Sequence, residues 1–337
     1  MTLNPDRAAS RLAWTRRALD DASLTLEPAS ADASFRSYWR THHAGQSWIV
    51  MDSPPAQEDP APWLRIGVQL ATAGLHVPAV RAHDLEQGFL LIEDLGAQLY
   101  LPALNDDSVD TLYGDAMDAL LRMQRDVDAT GLPPYDHAFL QRELEIMPEW
   151  FLQHHLGHMP TCEEWDVLES AFTVLLKSAL EQPCRFVHRD YHSRNLLITA
   201  HDSPGIIDFQ GALRGPITYD LASLLRDCYI VWDRERVEAW AETHRLRLLD
   251  AGLIDLTVGR ERFLRWFDLI GLQRHVKVLG IFCRLYYRDG KSGYLDDLPR
   301  VYDYVVDVAG RYPELADFVS LLQRCAGTRD LRLPVAA

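Results

Sequence analysis

Lysine is nearly absent from this chain. Lys177 is the first in 337 residues, and only Lys277 and Lys291 follow it. No chemistry that needs a lysine can be placed in the first half. Cysteine is scarce as well: Cys162, Cys184, Cys228, Cys283 and Cys325 are odd in number and never spaced C-x-x-C. That argues against a disulfide frame or a zinc site and for a reducing compartment. No stretch approaches the roughly 20 apolar residues of a membrane span. No basic segment leads into an apolar run near Met1, so no signal peptide is expected, and the expected location is the cytoplasm. Positive charge is also short, with 34 Lys and Arg against 49 Asp and Glu, a net charge of −15. Neither nucleic acid nor an anionic membrane selects such a surface, and nothing signals an obligate protein partner.

Local patterning divides the chain. Residues 7–21 carry helical spacing, and 24–27, 35–41 and 48–52 read as strands. Residues 44–47 lie between the last two as a hairpin turn. A helix is predicted over 63–73, ending at Gly74, and strands over 80–84 and 88–93. After Gly96 the period becomes helical, over 107–127, 137–155 and 163–180. A strand-and-loop insert at 185–208 interrupts it, and helices resume at 218–232, 235–252, 259–288 and 298–325. The expected fold is α+β and two-lobed: a small antiparallel-sheet lobe over 1–95 and a mainly helical lobe over 96–337.

The insert carries the chemistry. Phe186-Val187-His188-Arg189-Asp190-Tyr191-His192-Ser193-Arg194-Asn195 leads into the apolar Leu196-Leu197-Ile198, and Ile206-Ile207-Asp208-Phe209 follows. Taken singly, Asp190 and Asn195 could be turn formers and Asp208 a cap. Ordered between apolar strands, they match what phosphoryl transfer requires. One carboxylate orients a hydroxyl and accepts its proton, while an amide and a second carboxylate hold Mg²⁺ on the phosphates of ATP. Asp190 fits the base, and Asn195 and Asp208 fit the metal ligands. All three offer hard oxygen donors, which suit Mg²⁺.

With these motifs the chain resembles the aminoglycoside phosphotransferase family, a branch of the protein-kinase-like fold, over nearly its whole length. The resemblance implies that Leu90-Leu91-Ile92-Glu93-Asp94-Leu95-Gly96 joins the lobes and binds adenine through backbone groups of Glu93 and Leu95. It implies further that Asp220, in Tyr219-Asp220-Leu221-Ala222, braces the catalytic loop together with His188. Within the family the likeness is greatest to bacterial kinases of the anomeric hydroxyl of N-acetylmuramate and N-acetylglucosamine, which serve cell-wall recycling. It is carried by residues 30–38, 50–59, 74–78, 280–285 and 288–291.

The kinase pattern is incomplete. A lysine on the third strand usually contacts the phosphates, and the register puts Met51 there. Arg36 and Arg40 are the available cations, and an arginine fork suits phosphate oxygens. No glycine lies between Ala29 and Arg36, so backbone amides with Ser30 and Ser34 would cradle the phosphates. On the substrate side, Arg274, Lys277, Ile281, Arg284 and Arg288 share one helical face. A basic stripe suits an anionic sugar, although a solvated face would carry the same pattern. His192, Arg226 and Asp227 are further sugar-binding candidates, and Trp150 is a possible stacking surface. Two alternatives stay open: an acceptor such as an aminoglycoside or choline, and an inactive ATP-binding scaffold.

Overall fold

The computed structural model describes residues 5–31 and 35–334. Helix α1 (Pro5–Leu19) precedes β1 (Glu27–Ala31), β2 (Ser37–His43) and β3 (Gln46–Asp52). Helix α2 (Ala61–Thr72) leads to β4 (Val80–Asp84) and β5 (Phe89–Glu93). Next come α3 (Tyr100–Ala103), α4 (Val109–Asp126), α5 (His137–Leu144), a π-helical segment Pro148–His155 and α6 (Cys162–Leu180). Short strands β6 (Cys184–Val187), β7 (Leu196–Leu197), β8 (Gly205–Ile206) and β9 (Leu213–Pro216) follow. Helices α7 (Tyr219–Leu225), α8 (Arg234–Asp250), α9 (Arg260–Tyr287), α10 (Leu298–Ala309) and α11 (Ala316–Ala326) complete the order. This is the α+β architecture expected, with a sheet-bearing part and a helical part.

Packing divides the chain into two compact units, residues 1–123 with 194–211, and 124–193 with 212–337. The boundary expected at 95/96 rests on where strand patterning stops. Packing instead groups α3, most of α4 and the β7–β8 hairpin with the sheet.

In the first unit the five strands run antiparallel in the order β1-β2-β3-β5-β4. Ala44 (φ 50°) and Gly45 (φ 79°) turn β2 into β3, both in the left-handed region that a two-residue hairpin needs. One sheet face buries Val50, Phe89 and Leu91 with Trp14, Leu19 and Leu24. Strand alternation sends Met51, Leu90 and Ile92 to the other face, also buried. Helix α1 is pinned by charge, because buried Asp52 accepts from Arg7 Nη2 at 2.6 Å and Arg11 Nη1 at 2.8 Å.

The second unit is organised on α9. Every residue from Asp268 to Gly280 is buried, so the helix is enclosed on all sides, as a core helix is. A side chain at Gly280 would meet the Ile146 carbonyl oxygen at 2.5 Å, and glycine is what lets the π-helical segment approach. Three helices are shorter than their spacing predicts. Pro148, which has no N–H, follows the end of α5. Helix α7 stops at Leu225, where the Asp227 carboxylate takes the Tyr229 N–H at 3.2 Å and so competes with the helical bond. Gly310 and Pro313 lie between α10 and α11.

Candidate active site

In the first unit the β7–β8 hairpin is built to carry two polar side chains at its mouth. The apolar pairs Leu196–Ile206 and Leu197–Gly205 close it, and Ile207 N–H donates to the Asn195 carbonyl at 3.1 Å. Asn195 enters the hairpin and Asp208 leaves it. Their side chains meet, with Asn195 Nδ2 at 3.5 Å from Asp208 Oδ2. The amide oxygen at the same end of Asn195 is the atom that would ligate a metal. A carboxylate and an amide together offer oxygen donors of the kind Mg²⁺ takes.

Arg36 reaches the same place. Its Nη2 lies 3.1 Å from Asp208 Oδ1 and its Nε 3.4 Å from Glu58 Oε1, and the arginine side chain is only 5% exposed. Met51 is fully buried, so the third-strand position is spent on the core, and Arg36 brings the cation from the entry to β2. Arg40 is placed elsewhere. It forms a two-pronged pair with Asp94, at 2.6 and 3.1 Å, and Ser47 Oγ donates to the same carboxylate at 2.5 Å. Ser34 lies outside the described residues, and of Ser30 only the backbone is described, paired with Tyr38 in β1–β2.

The 93–96 segment runs beside the hairpin. Ile198 N–H donates to the Gln98 carbonyl at 2.8 Å, and Leu99 bridges Leu197. A side chain on Gly205 would meet Leu95 Cδ1 and Thr199 Cγ2 at 3.0 Å and Leu197 Cβ at 3.6 Å. That closeness is what glycine at 205 permits between the 93–96 segment and the hairpin. Glu93 gives its N–H to the Ala79 carbonyl at 2.8 Å, and its carboxylate accepts from Ala79 N–H at 3.2 Å.

In the second unit the loop after β6 is held by buried carboxylates. Asp220 Oδ2 accepts the His188 N–H at 2.6 Å and Oδ1 the Arg189 N–H at 3.0 Å. Asp227 accepts both the N–H of Ser193, at 3.0 Å, and its hydroxyl. Between these braces Asp190 N–H donates to His188 Nδ1 at 3.3 Å. Arg189 has φ +79°, a strained value of the sort that gathers at active sites. Its guanidinium is fixed on Glu143 Oε1 at 2.6 Å, and Lys277 Nζ shares that oxygen at 3.1 Å.

Charge sets the state of Asp190. Burial pushes its carboxyl up, but the fields of Lys277, His192, Arg189 and His188 outweigh this and hold it below the usual range. The group is therefore an anion at neutral pH, ready to accept a proton.

The remaining substrate-side candidates are used unevenly. His192 stacks edge-on with Tyr229 at 5.6 Å. Arg274 is buried and donates to Cys228 Sγ at 3.2 Å, and buried Lys277 donates to the Tyr219 hydroxyl at 3.3 Å. Arg288, at the far end of the stripe, is exposed and paired with Asp289. Arg226 and Asp227 are both buried and committed to protein groups, Arg226 to Asp268 at 3.1 Å and Asp227 to Ser193. Trp150 stacks on His154 at 4.7 Å. Glu143 carries no periodic or motif signal, Gln210 only its place after Asp208-Phe209, and Glu58 and Asp94 lie in stretches that resemble the family without a role assigned to either. Their part in the site shows only through their partners.

Comparison with known proteins places this geometry. The model of the phosphotransferase enzyme family matches residues 25–260. The N-acetylmuramate/N-acetylglucosamine kinase of Pseudomonas aeruginosa is 47% identical over 298 residues, covering 88% of this chain and 87% of that protein. The kinase of the same name from Pseudomonas putida is 45% identical over 306 residues, 90% of each chain. Among solved structures, choline kinase LicA from Streptococcus pneumoniae superposes with a TM-score of 0.63 at 12% identity, covering 90% of this chain and all of that one. That likeness speaks for the fold alone.

Proposed function

The chain belongs to the phosphotransferase enzyme family, and on that premise we propose that it is an ATP-dependent amino-sugar kinase. Its acceptor is the anomeric C1 hydroxyl of N-acetylmuramate and N-acetylglucosamine, and its place is in cell-wall recycling. The observation that carries the reaction is the His188–Asn195 loop, in which Asp190 sits between two braced segments and is kept ionised by neighbouring cations. Support for the acceptor comes from relatives of that name, 45% and 47% identical over about nine-tenths of the chain.

In this reading Asp190 orients the C1 hydroxyl and takes its proton as the bond from its oxygen to the γ-phosphorus forms. The bond from that phosphorus to the bridging oxygen of ADP breaks in the same step. Asn195 and Asp208 would hold Mg²⁺, which when bound would neutralise charge on the phosphates. Arg36 adds a fixed positive charge beside Asp208. A hemiacetal hydroxyl is more acidic than an ordinary alcohol, so the base is needed late, and positioning carries most of the acceleration. The charges that bear most on Asp190 are basic, which favours a neutral or anionic acceptor over an aminoglycoside or choline. Five free cysteines suit a reducing cytoplasm.

Phosphorus NMR of the reaction mixture tests the proposal. A product phosphate coupled to the anomeric proton is expected, and sugars methylated at O1 should bind yet give no product. A 6-phosphate or a phosphorylated aminoglycoside would refute the acceptor. No sugar-dependent ADP release at all would favour an inactive ATP-binding scaffold.

A further inference from the structure

The turn that carries Asp208 is strained. Asp208 has φ +64°, a left-handed value that a non-glycine residue adopts only at a cost. Phe209 holds the turn in place. Its ring is fully buried 5.0 Å from that of Trp63, and it lies so close to α2 that a side chain at Gly67 would touch it at 3.4 Å. With the backbone set, the rotation of the Asp208 carboxylate is left to its hydrogen-bond partners. Oδ1 receives two donors, Arg36 Nη2 at 3.1 Å and Gln210 Nε2 at 2.7 Å. Oδ2 is thereby turned to Asn195. The two oxygens of one carboxylate have been given different work.

Gln210 stands where the Asp-Phe-Gly turn of many kinases has glycine. Its amide nitrogen is spent on Asp208, while its Oε1 is buried and finds no hydrogen-bond partner among the described residues. A buried acceptor without a donor forfeits the hydrogen bond it would make in water. Native structures keep few of them, and those that persist call for an explanation. Mg²⁺ supplies one, because it dehydrates reluctantly and keeps several waters whose O–H groups can be donated.

From the fixed Oδ1 and the buried Oε1 we infer that Gln210 is a positioning residue for the metal. Its NH₂ group holds Oδ1 so that Oδ2 is presented to the ion, and its Oε1 accepts from a water of the ion's shell. A glycine at this position could do neither. The inference rests on the reading of Asp208 and Asn195 as the metal pair.

Mn²⁺ is the probe, and its binding to the full-length protein in the presence of ADP is read by electron paramagnetic resonance of the free ion. Gln210→Met keeps the length of the side chain without the amide. Partners of metal ligands typically contribute 10–100-fold in affinity, so the Mn²⁺ Kd should rise about 10-fold or more. The Kd for ADP without metal, and the melting temperature in EDTA, should stay at wild-type values. Gln210→Leu serves the same purpose if the methionine variant does not fold. Asp208→Ala is measured beside them. If Asp208→Ala loses Mn²⁺ and a folded Gln210 variant binds it as wild type does, the inference is overturned and the metal pair stands. If Asp208→Ala binds Mn²⁺ normally, the metal pair itself is wrong and the inference falls with it. A lowered melting temperature in EDTA with an unchanged Mn²⁺ Kd would assign Gln210 a structural role and overturn the inference as well.

Discussion

Arg36 Nη2 lies 3.1 Å from Asp208 Oδ1, so a cation at the entry of the second strand faces a carboxylate 172 positions later. Glu58, 3.4 Å from the Nε of the same guanidinium, keeps it in place from the other side. The usual kinase solution draws the cation from the third strand, and here that position is the core methionine Met51.

Arg36→Ala should therefore weaken ATP binding and leave sugar binding nearly untouched. A charge-assisted contact of this kind is worth about 1.5–3 kcal/mol, or roughly a 10- to 100-fold rise in the KM for ATP. Arg40→Ala, which loses a pair with Asp94, should raise that KM far less. Steady-state kinetics with each substrate varied in turn decide the matter. Equal ATP constants in Arg36→Ala and wild type would remove Arg36 from the phosphate site.

Asp190→Asn should fold and bind ATP yet lose about 10²–10⁴ in turnover, the usual contribution of a positioned base. Lys277 gives a finer test. Its ammonium is the largest of the charges that counter the effect of burial and keep the Asp190 carboxyl low. Because the folded pKa is depressed, the base is present at neutral pH and is lost only as pH falls below the usual carboxylate range. Lys277→Met should move the acid limb of the kcat/KM profile to higher pH. A limb that does not move in the folded variant would show that Lys277 does not set the state of the base.

Asp220 uses both carboxylate oxygens on backbone N–H groups. Asn offers one acceptor and would turn its own NH₂ toward the other donor. Asp220→Asn should cost about 1–3 kcal/mol in chemical denaturation and lower kcat through the loosened loop. Burial pushes the Asp220 carboxyl up to about 7 against the pull of its two donors. The folded state then holds a proton that the unfolded chain releases near pH 4, its ordinary value. Stability from this group falls as pH rises from about 4 to about 7. In Asp220→Asn that slope should be flatter. An unchanged slope would mean that Asp220 is already ionised in the folded protein throughout.

Much of this protein could be read in its residues, and the reason is local. The hairpin at Ala44-Gly45, the strands on either side of it and the His188–Asn195 loop each depend on neighbours within a few positions. Periodicity and turn chemistry report such neighbours directly. The order Asp190, Asn195, Asp208 is visible for the same reason, since one short hairpin carries the last two. Helix lengths were less visible. The spacing over 218–232 continues past Leu225, but Arg226 leaves helical geometry at φ −122° and ψ 52°, and the Asp227 side chain takes the Tyr229 N–H beyond it, neither of which periodicity registers.

The use made of each charged residue was decided by folding. Arg36 and Arg40 look alike on one strand, yet one meets Asp208 and the other Asp94. Arg274 and Lys277 read as a possible solvated stripe, yet the helix that bears them is enclosed on all sides and both are buried. Glu58, Glu143 and Gln210 carry almost no local signal, because their importance comes from partners far along the chain or from an amide placed against a carboxylate. An ion pair falls off over a few ångströms, and only packing within each unit, around the sheet and the β7–β8 hairpin in one and around α9 in the other, brings these groups within that distance of their partners.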